Sequence, residues 1–228
     1  ANAFTGELKK SRRGCRFNHD LVSSRSQIHK PVVVCSGINV ERSLSRKVKQ
    51  FQGTLLDDMS ANVTHLVVGE LDKMGRTVKL MTALAMPHVA IVTEEWISAS
   101  AGAKHPVNEA NFIPKAPGLE KKHGLKLDLL LRQRAALASP LFSGLSFHCT
   151  EKCRPKRTDL KAIVVAGGGK YISRVTKSTP EDTIIITCDE DMKKKALRAK
   201  FEAHPRHTFE FIFTGILQCE LPKNKFTI

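Results

Sequence analysis

Ser36-Gly37 closes the apolar run Val32-Val33-Val34-Cys35, and Gly75-Arg76-Thr77-Val78-Lys79 follows about 40 residues later. These residue types suit one chemistry. A phosphate dianion is held by several charge-assisted hydrogen bonds. A hydroxyl, a bare backbone N–H and an ammonium supply three of them. Ser36 offers the hydroxyl, and Gly37, lacking a Cβ, lets a ligand approach the backbone. Lys79 offers a point charge, and Arg76 a planar fork able to make a bidentate contact.

The periodicity predicts a helix over 76–86, with Val78, Met81, Leu84 and Ala85 on one face. Arg76 and Lys79 then stand three apart on one face near its N-terminus, with Lys73 just before. The macrodipole makes that end positive, so each cation there costs about 0.3–1 kcal/mol. Three cations at that end suggest that an anion is expected. Two plainer readings stand beside this one: a simple Ser-Gly turn, and cations on a solvated surface.

Other candidate sets are thinner. Cys149-x3-Cys153 with His148, and Cys15-x3-His19, have loose metal-ligand spacing and no companion pair. Gly167-Gly168-Gly169 lacks the Lys-Ser/Thr of a P-loop and reads as a helix stop. His65 reads as a satisfied structural histidine. No Ser/His/Asp set or carboxylate pair stands out, so neither an enzyme nor a cofactor is expected.

The elements that must position these residues alternate between strand and helix. Val32–Cys35 reads as a strand. Val40, Leu44, Val48 and Phe51 form a helical stripe, with Gly53 at its C′ position. Short strands are expected at residues 54–57, 64–68 and 89–92, and Glu94-Glu95-Trp96-Ile97 opens a last helix. The order then recurs. Residues 145–149 read as a strand, 159–166 as a helix, 171–172 as a short strand, and Thr183–Thr187 (TIIIT) matches Thr64–Val68 (THLVV). Phe209-Glu210-Phe211-Ile212 stands where Glu94-Glu95-Trp96-Ile97 stood, again about 43 residues after the glycine turn. Two copies of a small α/β domain follow, each with a parallel sheet covered on both faces. Between them, Leu127, Leu130, Leu131 and Arg134, extended by Leu137, set a helix expected to pack on both copies. The expected division is a basic arm over 1–30, a first domain over 31–115, a linker with a helix over 116–139 and a second domain over 140–228.

Composition bounds the partners. The 228 residues are 41% hydrophobic, enough for real cores, and no apolar run approaches a membrane span. Only 6% are aromatic, with one Trp and one Tyr, which excludes an aromatic-rich surface for stacking sugars or RNA bases. The N-terminal stretch lacks the apolar core of a signal peptide. Six scattered cysteines, with Cys35 and Cys188 ending apolar runs, suit reduced, buried thiols and a cytosolic or nuclear setting. The net charge is +15, and a third of it lies in residues 1–30, where seven cations face two acids. That arm reads as a flexible basic leader with a possible contact to DNA, or as a solvated linker.

The glycine turns (Gln52-Gly53, Gly167-Gly168-Gly169), the THLVV strand and Trp96 together resemble the tandem BRCT module of DNA-damage response proteins, over about residues 31–228. Ser36-Gly37, Gly75–Lys79, the linker helix and Phe211–Leu217 resemble the C-terminal pair of the DNA damage checkpoint mediators, with microcephalin's pair second. Phe211 stands where BRCT domains carry Trp, Ser36 where the mediators often show Thr, and Phe209 where they commonly have Pro. The resemblance implies a nuclear, non-catalytic reader of phosphoserine at chromatin around DNA damage. Its implied ligand is the phosphorylated C-terminal tail of a histone variant. Ser36, Gly37 and Lys79 would hold the phosphate. Arg76 would hold the free C-terminal carboxylate, with Thr77 beside it, and Phe209 and Phe211 would border the last side chain.

Overall fold

The computed structural model describes residues 30–222 and 225–228, so the expected basic arm lies almost wholly outside the described residues. In the first copy, β1 (Val32–Ser36) leads to α1 (Arg42–Gln50), β2 (Thr54–Leu56), β3 (His65–Val68), α2 (Leu71–Met74), α3 (Val78–Ala85), β4 (Ala90–Thr93) and α4 (Glu95–Ala103). A 3-10 turn, Glu109–Phe112, then leads into α5 (Pro117–His123) and α6 (Leu127–Ala135). The second copy runs β5 (Ser146–Cys149), α7 (Arg157–Ala166), β6 (Lys170–Tyr171), β7 (Ile184–Ile186), α8 (Asp189–Met192), α9 (Lys195–Lys200), β8 (Arg206–His207) and α10 (Glu210–Gln218).

Each copy holds a four-stranded parallel sheet, ordered β2-β1-β3-β4 and β6-β5-β7-β8. Alternation along the strands feeds two layers in the first copy. Val34, Leu66, Val68 and Ile91 face one core, while Val33, Cys35, Val67 and Val92 face a second beneath α1 and α4. That second core centres on Trp96, whose ring stacks on His65 at 4.2 Å and whose Nε1–H donates to Val107 O at 2.9 Å. His65 is held at both ring nitrogens, by Thr64 Oγ1 at 2.7 Å and Glu109 Oε1 at 3.2 Å.

The first core does not stop at the domain boundary. α3 is buried on nearly every side, at Leu80 through Ala85, as befits a helix apolar all round. It packs on α7 and α10 of the second copy, and Leu160, Ile163, Val164, Phe213 and Ile216 share its core. α6 closes the seam from the linker. Its Leu127 and Leu130 are buried there, and so is Arg134, only 5% exposed. Arg134 reaches carbonyls at the end of α3 and in the turn after it: Nη1 donates to Ala83 O at 2.7 Å and to the C-cap Met86 O at 3.1 Å, and Nη2 donates to Val89 O. Burial lowers its pKa to about 10, so it still carries its charge at neutral pH, facing helix-end carbonyls that favour a cation.

Several details differ from the sequence reading. The helix expected over 76–86 begins at Val78, because Thr77 caps it: Thr77 Oγ1 accepts from the Leu80 N–H at 3.2 Å. Val40 precedes α1 and is exposed, while Leu44, Val48 and Phe51 keep the stripe. The left-handed residue after α1 is Gln52 (φ 61°), not Gly53, whose missing Cβ instead makes room for Val48 and Phe51. The linker carries two helices rather than one. Leu131 is half-buried, and Cys188, expected in the core, is only half-buried too.

Candidate functional site

Ser36 ends β1, and its hydroxyl is nearly buried, 3.3 Å from Thr77 Oγ1. Thr77 is the N-cap of α3, so the end of β1 and the start of α3 share one spot. Lys79, in the first turn of α3, turns its ammonium to the same strand end. Nζ donates to Cys35 O at 3.3 Å and to Asp57 O, and stands 3.9 Å from Asp58 Oδ1. Of the first N–H groups of α3, which have no acceptor within the helix, Leu80's is held by Thr77 Oγ1. The result is a rim of one hydroxyl pair, one ammonium and a helix N-terminus. Cys35, directly beneath, is no nucleophile: burial pushes its thiol to about 11, against the pull of Lys79.

Gly37 is glycine for a more local reason than ligand access. Its φ is +69°, and a Cβ there would lie 2.2 Å from Met74 Sδ. Met74 thus fills the underside of the turn. Lys73 does not join the cationic set: it is an exposed partner of Glu70 at 2.9 Å on α2.

Arg76 and Lys79 part company. Arg76 precedes the cap and crosses to the second copy, where Nη1 and Nη2 meet Glu210 Oε2 and Oε1 at 2.7 and 2.6 Å. Its guanidinium carbon also lies 5.2 Å from the Phe213 ring centroid. The Arg76 guanidinium beside Glu210 holds that carboxyl below the usual range. Two of the five N–H donors of Arg76 are spent on this pair, which leaves three for another acceptor. Phe209, the N-cap residue of α10, sits half-buried and edge-on to Phe213 at 5.3 Å. Phe211 is buried and stacked on His207 of β8 at 4.2 Å. It is a core side chain.

Among the described residues the second copy builds no such rim. Strand register matches Cys35 with Val67 and Cys149 with Ile186, so Thr150-Glu151 takes the place of Ser36-Gly37. The Thr150 hydroxyl donates to Thr187 Oγ1 at 3.1 Å, and the loop N–H of Lys152 is already held by buried Asp191 at 2.9 Å. Sequence reading missed this contrast, although Glu151 in place of a glycine was its signal. Nearby, burial raises the thiols of Cys149 and Cys153 to about 12 and 11, and among the described residues no group of three or more His, Cys, Asp or Glu could hold a metal ion.

Two parallel-sheet repeats, locked by a shared helix and with the Ser36–Thr77–Lys79 rim on the first of them, define a tandem α/β repeat module. The family comparison is direct. BRCA1 C Terminus (BRCT) domain matches residues 29–101 and BRCT domain matches residues 140–226, so the chain belongs to the BRCT family as a tandem pair. It is 32% identical to PAX-interacting protein 1 of Bos taurus over 68% of this chain and 16% of that protein. It is 27% identical to Mediator of DNA damage checkpoint protein 1 of Homo sapiens over 87% of this chain and 9% of that protein. The chain thus spans less than a fifth of either relative. Solved structures share the fold: the S. pombe Brc1 BRCT5-BRCT6 domains (TM-score 0.64, 18% identity, 84% of this chain and 94% of that one). Rtt107p in complex with a phosphorylated histone is another (TM-score 0.59, 13% identity, 88% of this chain and 92% of that one).

Proposed function

We propose that this tandem pair is a non-catalytic reader of a phosphoserine close to a free C-terminus. One observation carries the reading: the Ser36 hydroxyl, capped α3 and the Lys79 ammonium meet at one strand end beside the Gly37 turn. A phosphate set there takes a hydroxyl, helix N–H groups and an ammonium, all charge-assisted. Arg76, with donors to spare, takes the carboxylate at the peptide's end, and Thr77 holds the helix start between the two sites. Phe209 borders the last side chain.

The ligand class is a pSer-Gln-acidic-(aromatic or aliphatic) tail, as on a damage-phosphorylated histone variant, and the role is recruitment to nuclear chromatin at breaks. The likeness to checkpoint mediators supports this, as does a fold shared with a protein solved in complex with a phosphorylated histone. Binding near micromolar, about −8 kcal/mol, suits so short a peptide. Calorimetry with three peptides tests the reading: phosphorylated, unphosphorylated, and phosphorylated with an amidated C-terminus. The first binds best. Equal binding of the first two overturns the phosphate reading, and equal binding of the first and third overturns the role of Arg76.

A further inference from the structure

The second copy holds a cavity of about 390 Å³ between the end of β5, the start of α7 and α9. His148 of β5 reaches it, although the residue is only 7% exposed. Its Nδ1 stands 2.8 Å from Ile172 O. A carbonyl only accepts, so Nδ1 carries the proton. Nε2 is left bare, and among the described residues it has no hydrogen-bond partner. A group set so deep, with one nitrogen open to a cavity, calls for a partner from outside the fold.

Cations line the same cavity. Arg157 opens α7, and its Nη2 donates to Ser173 O at 3.1 Å, the carbonyl next to the one that His148 holds. Arg174 follows Ser173 directly. Lys200 ends α9 with Nζ 5.6 Å from the Phe201 ring centroid, and the His148 ring lies 5.6 Å from that same ring. Two acids take up part of this charge: Arg157 stands 3.8 Å from Glu151, and Lys194 3.9 Å from Asp191. Arg174 and Lys200 have no carboxylate partner among the described residues, so the lining keeps two uncompensated positive charges. Burial first, then Arg157, Lys200 and His204, lowers the His148 pKa against the opposite pull of the Ile172 bond, in keeping with a bare Nε2 at neutral pH.

Two spare cations and one lone pair suit a particular anion. A phosphate monoester titrates at about pH 6, so near neutral pH it readily keeps one proton. It then offers an O–H to Nε2 and its other oxygens to Arg174 and Lys200. Sulfate has no proton to offer at neutral pH, and its oxygens would meet the Nε2 lone pair acceptor to acceptor. We propose that this cavity is a second anion site, selective for phosphate groups over fully ionised anions, with one proton shared between His148 Nε2 and a phosphate oxygen. It is built apart from the Ser36–Lys79 rim and stands or falls independently of the reading of that rim.

The test is NMR on the whole chain. Imidazole ¹⁵N shifts, assigned to His148 with His148→Asn, show which ring nitrogen carries a proton. Inorganic phosphate and sulfate are titrated near neutral pH at equal ionic strength. Phosphate moves the Nε2 resonance and saturates, and sulfate needs a concentration about tenfold higher, the scale of one hydrogen bond to a charged group. Arg174→Gln combined with Lys200→Gln, both exposed, weakens phosphate binding by about tenfold or more and leaves thermal unfolding without phosphate unchanged. Lys79→Met leaves the titration as it was. O-phospho-L-serine is the third probe: tighter binding than inorganic phosphate marks a phosphorylated chain as the source, weaker binding marks the free ion, and either source meets the proposal. A shift that follows ionic strength without saturating overturns the inference. So does an equal response to sulfate, a response that survives the double substitution, or one that is lost with Lys79→Met.

Discussion

Arg76 and Glu210, 134 residues apart in the chain, face each other across the boundary between the two copies with both guanidinium Nη atoms on both carboxylate oxygens. The pair is partly exposed, at 18% and 29%, so solvent screens it and its stabilisation is modest. The coupling in a double-substitution cycle should be about 1–2 kcal/mol. The pH sign is fixed by Glu210, whose pKa lies below the ordinary 4.5. Its stabilisation is complete above pH 4.5 and is lost as pH falls through the lower folded value. Denaturant titrations of the chain and of Glu210→Gln from pH 7 downward check this: the gap between them holds above pH 4.5 and narrows only as the pH falls below it.

Lys79→Met and Ser36→Ala separate reading from folding. On the proposed reading each removes a charge-assisted contact to phosphate worth about 1.5–3 kcal/mol, a loss of about tenfold to a hundredfold in phosphopeptide affinity. Neither leaves the cap broken, since Thr77 keeps its bond to Leu80 N–H. Thermal unfolding should move little. A drop as large as that of a core substitution assigns these side chains to structure instead.

Gly37→Ala meets two obstacles, a left-handed backbone and Met74 Sδ. A destabilisation of about 1–3 kcal/mol is expected from denaturant unfolding. Adding Met74→Ala relieves only the steric part, so the double variant recovers part of the loss and the strain of the positive φ remains.

Arg134→Met strands the Ala83, Met86 and Val89 carbonyls that the guanidinium satisfies and is expected to cost about 3–5 kcal/mol. Arg134→Lys does not restore it, because a single ammonium cannot span carbonyls reached from two separate Nη atoms. Chemical denaturation of the three proteins settles the order.

Much of this architecture was legible in the residues. Apolar runs of four or five marked β1, β3 and β7, and the match of THLVV to TIIIT exposed the repeat. The glycine triplet stopped α7 as expected, with Gly168 at φ +80°. β8 escaped notice because Arg206-His207 has no apolar pattern and is a strand only by pairing with β7. Arg134 fell on the buried stripe of α6, yet its partners lie at the end of α3 and in the turn after it, and tertiary caps leave no local spacing to read. The same holds for Asp72, which caps α5 from 47 residues away. At the candidate site the residue types were readable, but their division of labour was not. Arg76 and Lys79 read as one helical face only until the Thr77 cap separated them.

The burial of α3 on nearly every side makes it a part shared by two owners. One end meets the candidate ligand, its flank is the floor of the second copy, and its other end is gripped from the linker. Damage to the second copy or to the linker should therefore appear in binding assays as a reading defect, though no altered atom lies near the phosphate. A survey of variants that scores only the ligand rim would count such losses as unexplained.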